Sequence, residues 1–383
     1  MSSKIVRLCL LLGAVVLLIA LAAMPVAAMT RTANEVWLGA LLYSDTALSD
    51  PDGQSCASCH TPRAGFADPD RCLPVSEGVN RGDFGGRNAP TAAYTTWSPD
   101  LQYDADGDAW VGGMFWDGRA TGLDPGLSPL AMQAKGPFLN DIEMSNDSEA
   151  DVIDEVRKAS YRKLFLKVYG PDSLDDVYAA YDNVARAIAA YESSRLVNTF
   201  SSRYDAYRAG ASWVLTRQEK RGLRLFNGKA LCNQCHPSAP DPAISTGIAS
   251  GKALFTDYTY DNLGLPQNPE AVMLSKGDGS PDLGLGGFLN DSTVNGAFKV
   301  PTLRNVARTA PYGHNGYFAT LAEIVHFYNT RDVPSAGWEA PEYPDTMNVD
   351  ELGDLGLTSG QEKAIVAFMK TLTDRVIVPI PDR

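Results

Sequence analysis

Two copies of one short cysteine and histidine motif are the residues of this chain best suited to chemistry. Each copy has the spacing CxxCH, and the copies lie 176 residues apart. In such a segment the two thiols can add to the two vinyl groups of one haem, and the adjoining histidine can bind the iron. A thioredoxin-type or zinc site would use similar cysteines, but the duplication favours one covalent haem c per motif. The residues are Cys56, Cys59 and His60 in the first motif, and Cys232, Cys235 and His236 in the second.

Histidines are scarce outside the two motifs, which limits the ligands available to the far side of each iron. The other two are His314 and His326, and no further histidine lies between His60 and His236. We therefore expect the first haem to keep an open coordination position, which is where peroxide or oxygen binds. A methionine ligand would instead close that position and indicate an electron carrier. The methionines in question are Met114, Met132 and Met144.

The first 28 residues have the pattern of a secretory signal peptide. Lys4 and Arg7 precede the apolar run 8–23, and small residues lead to a cleavage site near Ala28. An uncleaved membrane anchor is the alternative, because no charge follows Arg7 until Arg31. The sequence therefore predicts export to the periplasm.

The composition excludes some classes of partner. The formal net charge of the 383-residue chain is −13, and losing Lys4 and Arg7 would make it more negative. Nucleic acid and anionic lipid are therefore disfavoured as partners. The acidity serves solubility or attracts a cationic partner, and the sequence does not separate these two roles.

The spacing of the motifs predicts two haem domains, as in a duplicated cytochrome unit. We place them at residues 29–205 and 206–383, with the polar stretch Asn198–Arg208 at the boundary. The expected fold class is mostly α, with two cytochrome c-like haem domains and long irregular loops. The first domain would hold the open haem and the second a six-coordinate haem.

Periodicity and capping signals locate several helices. Apolar spacing predicts helices at Trp37–Tyr43, Val152–Tyr169 and Val177–Leu196. Three capping boxes, beginning at Thr216, Thr320 and Thr358, predict further helix starts. The segments 61–130 and 237–295 are rich in turn residues, so we expect long loops there that the cofactors help to order.

The order of the motifs resembles that of the bacterial di-haem cytochrome c peroxidase and MauG family over nearly the whole chain after the leader. The family implies an oxidoreductase with two haem c groups and a bound calcium ion. It reacts with hydrogen peroxide and oxidises either a small electron-donor protein or a side chain of a partner protein. The matching segments are 55–60, Gly86–Pro90, Phe115–Arg119, Gln133–Met144, 232–236, Phe298–Asn305 and Ala310–Gly316.

The resemblance implies roles for four residues around the first haem. Glu143 would be the base that moves a proton between the two oxygens of a bound peroxide, a step that heterolytic cleavage requires. Gln133 and Pro137 would shape the same pocket. Trp116 would lie between the haems and relay oxidising equivalents, although a tryptophan is more often a core residue with its N–H bonded.

At the second haem, the resemblance points to Tyr328 as the ligand opposite His236. The peroxidases of the family have methionine at this position, whereas the methylamine-utilisation members have tyrosine. Helical geometry places Leu321, Ile324, Val325 and Tyr328 on one apolar face and His326 on the outer face. A phenolate ligand would favour high-valent iron and help the di-haem site to store oxidising equivalents. The alternative is a core tyrosine with its hydroxyl bonded.

Other positions either complete the resemblance or depart from it. Peroxidases that need reductive activation have a second histidine where this chain has Ser76. The methylamine-utilisation enzyme has a surface tryptophan where this chain has Ala230, which leaves the reductant open. Cys72 is expected to be a buried free thiol or an oxidised one. The calcium ligands would be Asn88, Thr309 and Pro311, largely through carbonyl oxygens.

Overall fold

The computed structural model describes residues 26–240 and 251–375, and most of its regular structure is helical. The mostly α prediction, with long irregular segments, is confirmed. The predicted leader falls largely on residues 1–25, outside the described residues. Within the described ranges, no helix is long and apolar enough to cross a membrane.

The helices before residue 200 include one that the sequence predicted as continuous and the structure divides. Val156 is buried in the first of the two pieces and Phe165 in the second. Nine residues correspond to about 900° of helical rotation, so one unbroken helix would place these two side chains on opposite faces. An extended backbone at Ala159, with ψ 150°, brings both onto the core. The helices are α1 (Val26–Tyr43), α2 (Cys56–Cys59), α3 (Pro129–Lys135), α4 (Glu149–Lys158), α5 (Arg162–Tyr169) and α6 (Val177–Glu192).

The later helices begin where the sequence predicted them. All three capping boxes form, at Thr216, Thr320 and Thr358, and each satisfies backbone N–H groups at a helix start. The helices are α7 (Arg203–Arg208), α8 (Arg217–Phe226), α9 (Pro269–Leu274), α10 (Gly284–Leu289), α11 (Leu321–Thr330) and α12 (Ser359–Met369). Short 3₁₀ turns lie at Thr46–Leu48, Pro62–Ala64, Gly136–Leu139, Ser212–Val214, Ser292–Val294, Val306–Arg308, Pro334–Ala336 and Lys370–Leu372.

Strands are few and short in the described part of the chain. β1 (Gln102–Asp104) and β2 (Ala109–Val111) form an antiparallel hairpin, in which Tyr103 lies opposite Trp110. β3 (Tyr260–Asp261) and β4 (Phe298–Lys299) form a second antiparallel pair. The long loops are therefore held mainly by turns and side-chain hydrogen bonds rather than by a sheet.

One close helix crossing occurs in each half of the chain. A Cβ atom on Gly39 of α1 would lie 1.8 Å from the carbonyl oxygen of Ala187 in α6. A Cβ atom on Gly222 of α8 would likewise lie 1.9 Å from the carbonyl oxygen of Ala364 in α12. Only glycine allows the backbones to approach this closely. Four residues beyond each glycine, an aromatic ring completes the crossing: Tyr43 packs on Tyr191, and Phe226 packs on Phe368.

The two halves have separate hydrophobic clusters but share contacts. One cluster is centred on α1, α3, α4, α5 and α6, and the other on α8, α11 and α12. The stretch 198–208 is not an exposed linker, because Asn198, Ser202 and Asp205 are buried. The hydroxyl of Tyr94 donates to Asp374 at 2.6 Å, which ties the halves together near this stretch.

Candidate functional site

Each CxxCH motif lines its own cavity. The first cavity is lined by Cys56, Cys59 and His60 together with side chains from α3, α6 and the loops between them. The second cavity is lined by Cys232, Cys235 and His236 together with α11, α12 and the loop before β4. The two copies of the motif therefore lie in two separate cavities.

The two histidines are oriented in the same way. The Nδ1 atom of His60 lies 3.1 Å from the carbonyl oxygen of Phe66, and that of His236 lies 2.8 Å from the carbonyl oxygen of Phe255. The carbonyl oxygen accepts a hydrogen bond from the Nδ1–H group, so the proton of the neutral ring lies on Nδ1 and Nε2 is free to bind a metal. Burial lowers the pKa of His60 and brings the pKa of His236 to about 4, which keeps both rings neutral.

The loops that hold these histidines repeat as well. The hydroxyl of Thr91 donates to the carbonyl of Gly65 at 2.7 Å, and that of Thr302 donates to the carbonyl of Leu254 at 2.6 Å. Each carbonyl belongs to the residue before the phenylalanine that orients the histidine. The same hydrogen-bonded support therefore lies behind each imidazole.

The four motif thiols fit attachment of a haem better than binding of zinc. All four are free, and burial raises the pKa of Cys59 and of Cys232 to about 12. Within the described residues, the three side chains of neither motif bring their ligand atoms within 4.8 Å of one another, as one metal ion would require. Paired buried thiols beside a neutral imidazole suit thioether formation and axial ligation.

Three predicted residues come together on the wall of the first cavity. Gln133 is held there by α3, Pro137 by the following 3₁₀ turn, and Glu143 by the turn after it. The Oε1 atom of Glu143 accepts a hydrogen bond from Nδ2 of Asn140 at 3.1 Å. Burial raises the pKa of Glu143, while the positive charge of Arg119 acts in the opposite direction. The cavity thus contains a carboxyl group that holds its proton more tightly than an exposed glutamate does.

The candidate methionines divide between two environments. Met114 and Met144 line the first cavity. Met132 does not, and its sulfur accepts a hydrogen bond from the backbone N–H of Gly122 at 2.9 Å. Met132 is therefore engaged outside the cavity.

Trp116 lines both cavities. Its indole Nε1 donates to the backbone carbonyl of Asn88 at 2.8 Å, so the ring is fixed in orientation. The segment from Asn88 to Thr91 also lines both cavities, and together with Trp116 it forms the partition between them. An oxidisable ring in that partition is suited to electron transfer between two cofactors.

The predicted apolar face of α11 is confirmed. Leu321, Ile324, Val325 and Tyr328 all line the second cavity. His326 is on the outer side, with its side chain 50% exposed and its Nδ1 2.9 Å from Glu362.

Tyr328 differs from an ordinary core tyrosine in one respect. Among the described residues, its hydroxyl has no hydrogen-bond partner, whereas Tyr204 and Tyr181 both donate to backbone carbonyls. Burial raises the pKa of Tyr328 far above its usual value, and the neighbouring Cys235 and Asp261 act in the same direction. A phenolate at this position therefore requires a cation on its oxygen.

The predicted calcium residues share one cavity, the second. Asn88, Thr309 and Pro311 all line it. The amide nitrogen of Asn88 donates to the carbonyl of Pro74 at 3.0 Å, which leaves its Oδ1 free of any donor among the described residues. Amide and carbonyl oxygens suit a hard cation, and the group contains no carboxylate.

Several charged residues at the cavities were not found from the sequence. Asp261 and Glu351 lie beside Cys235, and both accept hydrogen bonds from Asn348. Glu192 lines the first cavity, and its Oε2 has no partner. Lys299 lines the second cavity and donates to the carbonyl of Gly112 at 2.8 Å. These residues are remote from the motifs in sequence, and spacing gives no signal for them.

Three positions discussed from the sequence have clear surroundings. Cys72 is exposed and free, so the expectation of a buried thiol is wrong; it lies on an open turn stabilised by Asp70. Ser76 lines the first cavity and donates to Asp68. Ala230 is buried, with 3% of its surface exposed.

Comparisons with known proteins agree with these features. A model of the family described as di-haem cytochrome c peroxidase matches residues 33–212. The methylamine utilization protein MauG of Paracoccus denitrificans is 37% identical over 362 residues, which cover 90% of this chain and 89% of that protein. The cytochrome c551 peroxidase of Nitrosomonas europaea is 29% identical, over 91% of this chain and 83% of the peroxidase.

A solved structure extends the likeness to the fold. The crystal structure of the dihaem peroxidase BthA from Burkholderia thailandensis superimposes with a TM-score of 0.77 at 32% sequence identity. The superposition covers 90% of this chain and 87% of that one. Both halves of the chain, with both cavities, are therefore included in the similarity.

Proposed function

Because the chain belongs to the di-haem cytochrome c peroxidase family, we propose that it reacts with hydrogen peroxide and uses the oxidising equivalents on a side chain of a partner protein. It is an oxidoreductase, and haem c is the cofactor of its family. The observation that carries the finer proposal is Tyr328, a half-buried phenol that lines the same cavity as His236 and has no hydrogen bond within the described residues.

The haem groups would be held by the two CxxCH motifs. Cys56 and Cys59 would attach one group, and His60 would bind its iron. Cys232, Cys235 and His236 would do the same for the other. The iron of each bound haem supplies the redox chemistry. The neutral imidazoles, fixed through Nδ1, provide Nε2 as the ligand atom without having to lose a proton first.

Glu143 acts on the peroxide as a proton carrier. Its carboxylate takes the proton from the near oxygen and returns it to the far oxygen, which then leaves as water. Burial raises the pKa of Glu143 and so makes its carboxylate a better base, while the positive charge of Arg119 lowers that pKa. Gln133 orients the peroxide by hydrogen bonding, and Pro137 limits the space beside it.

Trp116 connects the two sites. An indole that lines both cavities shortens the path for an electron from the second site to the first. The hydrogen bond to the carbonyl of Asn88 holds the ring in place and partly offsets positive charge on it when it is oxidised.

Tyr328 determines what the second site can do. As a phenolate it would be a hard anionic ligand for the iron of a haem held by His236, and it would favour the oxidised iron until a partner protein docks. Asp261 and Glu351 add negative charge close by and act in the same sense.

We also propose that the protein is exported to the periplasm after cleavage near Ala28, and that it binds calcium through Asn88, Thr309 and Pro311. A calcium ion there would cross-link the partition and the loop before α11, because these residues come from both halves of the chain. Removing it with a chelator should loosen the contact between the cavities.

A second candidate function is peroxide detoxification, with a small cytochrome or cupredoxin as electron donor. Ala230 favours it, because this residue is buried at the position where the side-chain-oxidising relatives carry a surface tryptophan. An electron carrier with two six-coordinate haems is a third candidate, to which Met114 and Met144 would supply the extra ligand.

One experiment separates these functions. Stoichiometric peroxide is added to the ferric protein, and the visible spectrum is followed over time without a reductant. A side-chain oxidase should form a long-lived oxidised state, whereas a detoxifying peroxidase should need its donor and a carrier should show no reaction. The proposal would be contradicted if no long-lived state formed and added cyanide left the spectrum unchanged.

A further inference from the structure

Several carboxyl groups besides Glu143 line the first cavity, and one of them, Glu192, has a buried oxygen without a hydrogen-bond partner among the described residues. Glu192 is the last residue of α6 and is only 4% exposed. Its side chain lines the cavity, and the Oε2 atom is fully buried without a hydrogen-bond partner. Few such groups occur in folded proteins, because an unpaired buried polar atom destabilises the fold.

Among the described residues, no cation forms an ion pair with Glu192: Arg87 and Arg119, which line the same cavity, both pair with Asp117. The charge of Glu192 raises the pKa of three titratable neighbours, Tyr43 of α1, Cys56 of α2 and Tyr191 of α6. The charge of Glu143 also raises the pKa of Cys56. Lys135 of α3 is bonded to Asp182 and lies 4.0 Å from Glu149 of α4. Burial alone raises the pKa of Glu192 to about 8, so the carboxyl gains or loses its proton near neutral pH.

The second cavity shows that packing does not require a carboxyl group here. Ile188, Tyr191 and Glu192 of α6 have the same spacing as Ile365, Phe368 and Met369 of α12. Both isoleucines line their cavities, and both aromatic residues complete the glycine crossings described above. Met369 lines the second cavity where Glu192 lines the first. An apolar chain of similar length therefore fills the equivalent position.

We infer that Glu192 is a proton-holding residue that couples the redox state of the first haem to proton uptake. When an external reductant delivers one electron to that haem, the Glu192 carboxylate forms one O–H bond with a proton from water. When the electron leaves, that O–H bond breaks and the proton returns to solvent. This inference rests on the proposed attachment of a haem at Cys56 and Cys59.

The direction of the coupling follows from electrostatics. A negative charge added to a cavity of low dielectric disfavours a second negative charge nearby, so reduction raises the proton affinity of Glu192. Peroxide reduction to two waters consumes two protons along with two electrons. A carboxyl group that takes up a proton with each electron keeps that proton close to Glu143, which transfers protons to the peroxide.

The test is a potentiometric titration of the first haem in the holoprotein between about pH 5 and pH 9. The parent protein should show a midpoint potential that falls with rising pH, approaching 59 mV for each tenfold change in proton activity for one electron. Glu192→Gln and Glu192→Met should remove most of that slope and leave the second haem unchanged. Glu143→Gln, the matched carboxyl in the same cavity, should retain it.

Infrared difference spectra between oxidised and reduced protein give an independent measurement. The carbonyl stretch of a protonated carboxylic acid should appear on reduction in the parent and be absent in Glu192→Gln. Mass spectrometry first establishes that both haems are attached, since loss of either haem would refute the proposed function instead. With both haems present, an unchanged slope and an unchanged infrared band in Glu192→Gln would overturn the inference.

Discussion

The two cavities are alike on the side that holds the histidine and differ on their other walls. Each has a glycine at a helix crossing, a histidine held through Nδ1 by a phenylalanine carbonyl, and a threonine that supports that loop. Beyond this shared frame, the first cavity has carboxyl groups at Glu143 and Glu192, where the second has Tyr328 on α11 and Met369 on α12.

This difference teaches how one duplicated unit can serve two purposes. The frame fixes where the cofactor and its histidine lie, so it tolerates little change. The opposite walls come from elements that the frame does not constrain, and they determine whether a cavity moves protons or holds charge. We therefore expect substitutions in the walls to exchange properties between the cavities, and substitutions in the frame to affect both alike.

The largest effect is expected at Tyr328. Tyr328→Met should leave both haems bound but abolish the long-lived state formed with stoichiometric peroxide, because a neutral ligand does not stabilise oxidised iron as a phenolate does. The decay of the oxidised spectrum in the absence of reductant is the measurement. His326→Gln, on the outer face of the same helix, is the control. If the Tyr328→Met variant stores oxidising equivalents as long as the parent does, Tyr328 is only a core residue.

Much of this site could be predicted from the sequence, because the chemistry is concentrated in short motifs and one helix face. The CxxCH spacing gives the thiols and histidines, and helical geometry alone separates Tyr328 from His326. Glu143 follows from the family pattern, since an isolated glutamate has no distinctive spacing.

The remainder depends on tertiary contacts that a linear pattern does not contain. Glu192 lies 132 residues after His60, and its correspondence to Met369 is visible only once α6 and α12 are seen at equivalent crossings. The polarity of the stretch 198–208 places it at the predicted domain boundary, yet in the structure Asp205 pairs with the buried Arg304 at 3.0 Å. The break between α4 and α5 likewise reflects which faces must reach the core.

A smaller but well-defined effect is expected at Glu143. Glu143→Gln should slow formation of the peroxide-oxidised state by about 10²-fold, the usual scale for losing a proton-transfer group. Stopped-flow mixing of ferric protein with peroxide measures the rate. Glu149→Gln is a suitable control, because Glu149 is a neighbouring carboxyl on α4 outside the first cavity. Equal rates for Glu143→Gln and the parent would show that Glu143 takes no part in the reaction with peroxide.

Glu192 should also make the stability of the protein depend on pH in a way that Met369 does not. Its pKa rises from the ordinary 4.5 to about 8 on folding, so between these values the folded state keeps a proton that the unfolded state has lost. The free energy of unfolding should therefore fall as pH rises through this window, by at most about 1.4 kcal/mol per pH unit. Denaturant unfolding of the parent and of Glu192→Met at pH values across the window measures the difference. A parallel pH dependence in the two proteins would contradict it.

The smallest effect concerns the shared frame, where the two cavities should respond equally. Thr91→Val and Thr302→Val each remove a hydroxyl that donates to a buried carbonyl and accepts from a backbone N–H two residues later. Each should lower the free energy of unfolding by about 1 kcal/mol, because the backbone groups lose a partner. Thr91→Ser and Thr302→Ser, which keep the hydroxyl, are the matched controls, and denaturant unfolding is the measurement. A loss at one threonine and none at the other would mean that the two histidine loops are not equivalent supports, and the division into a common frame and specialised walls would then hold for one cavity alone.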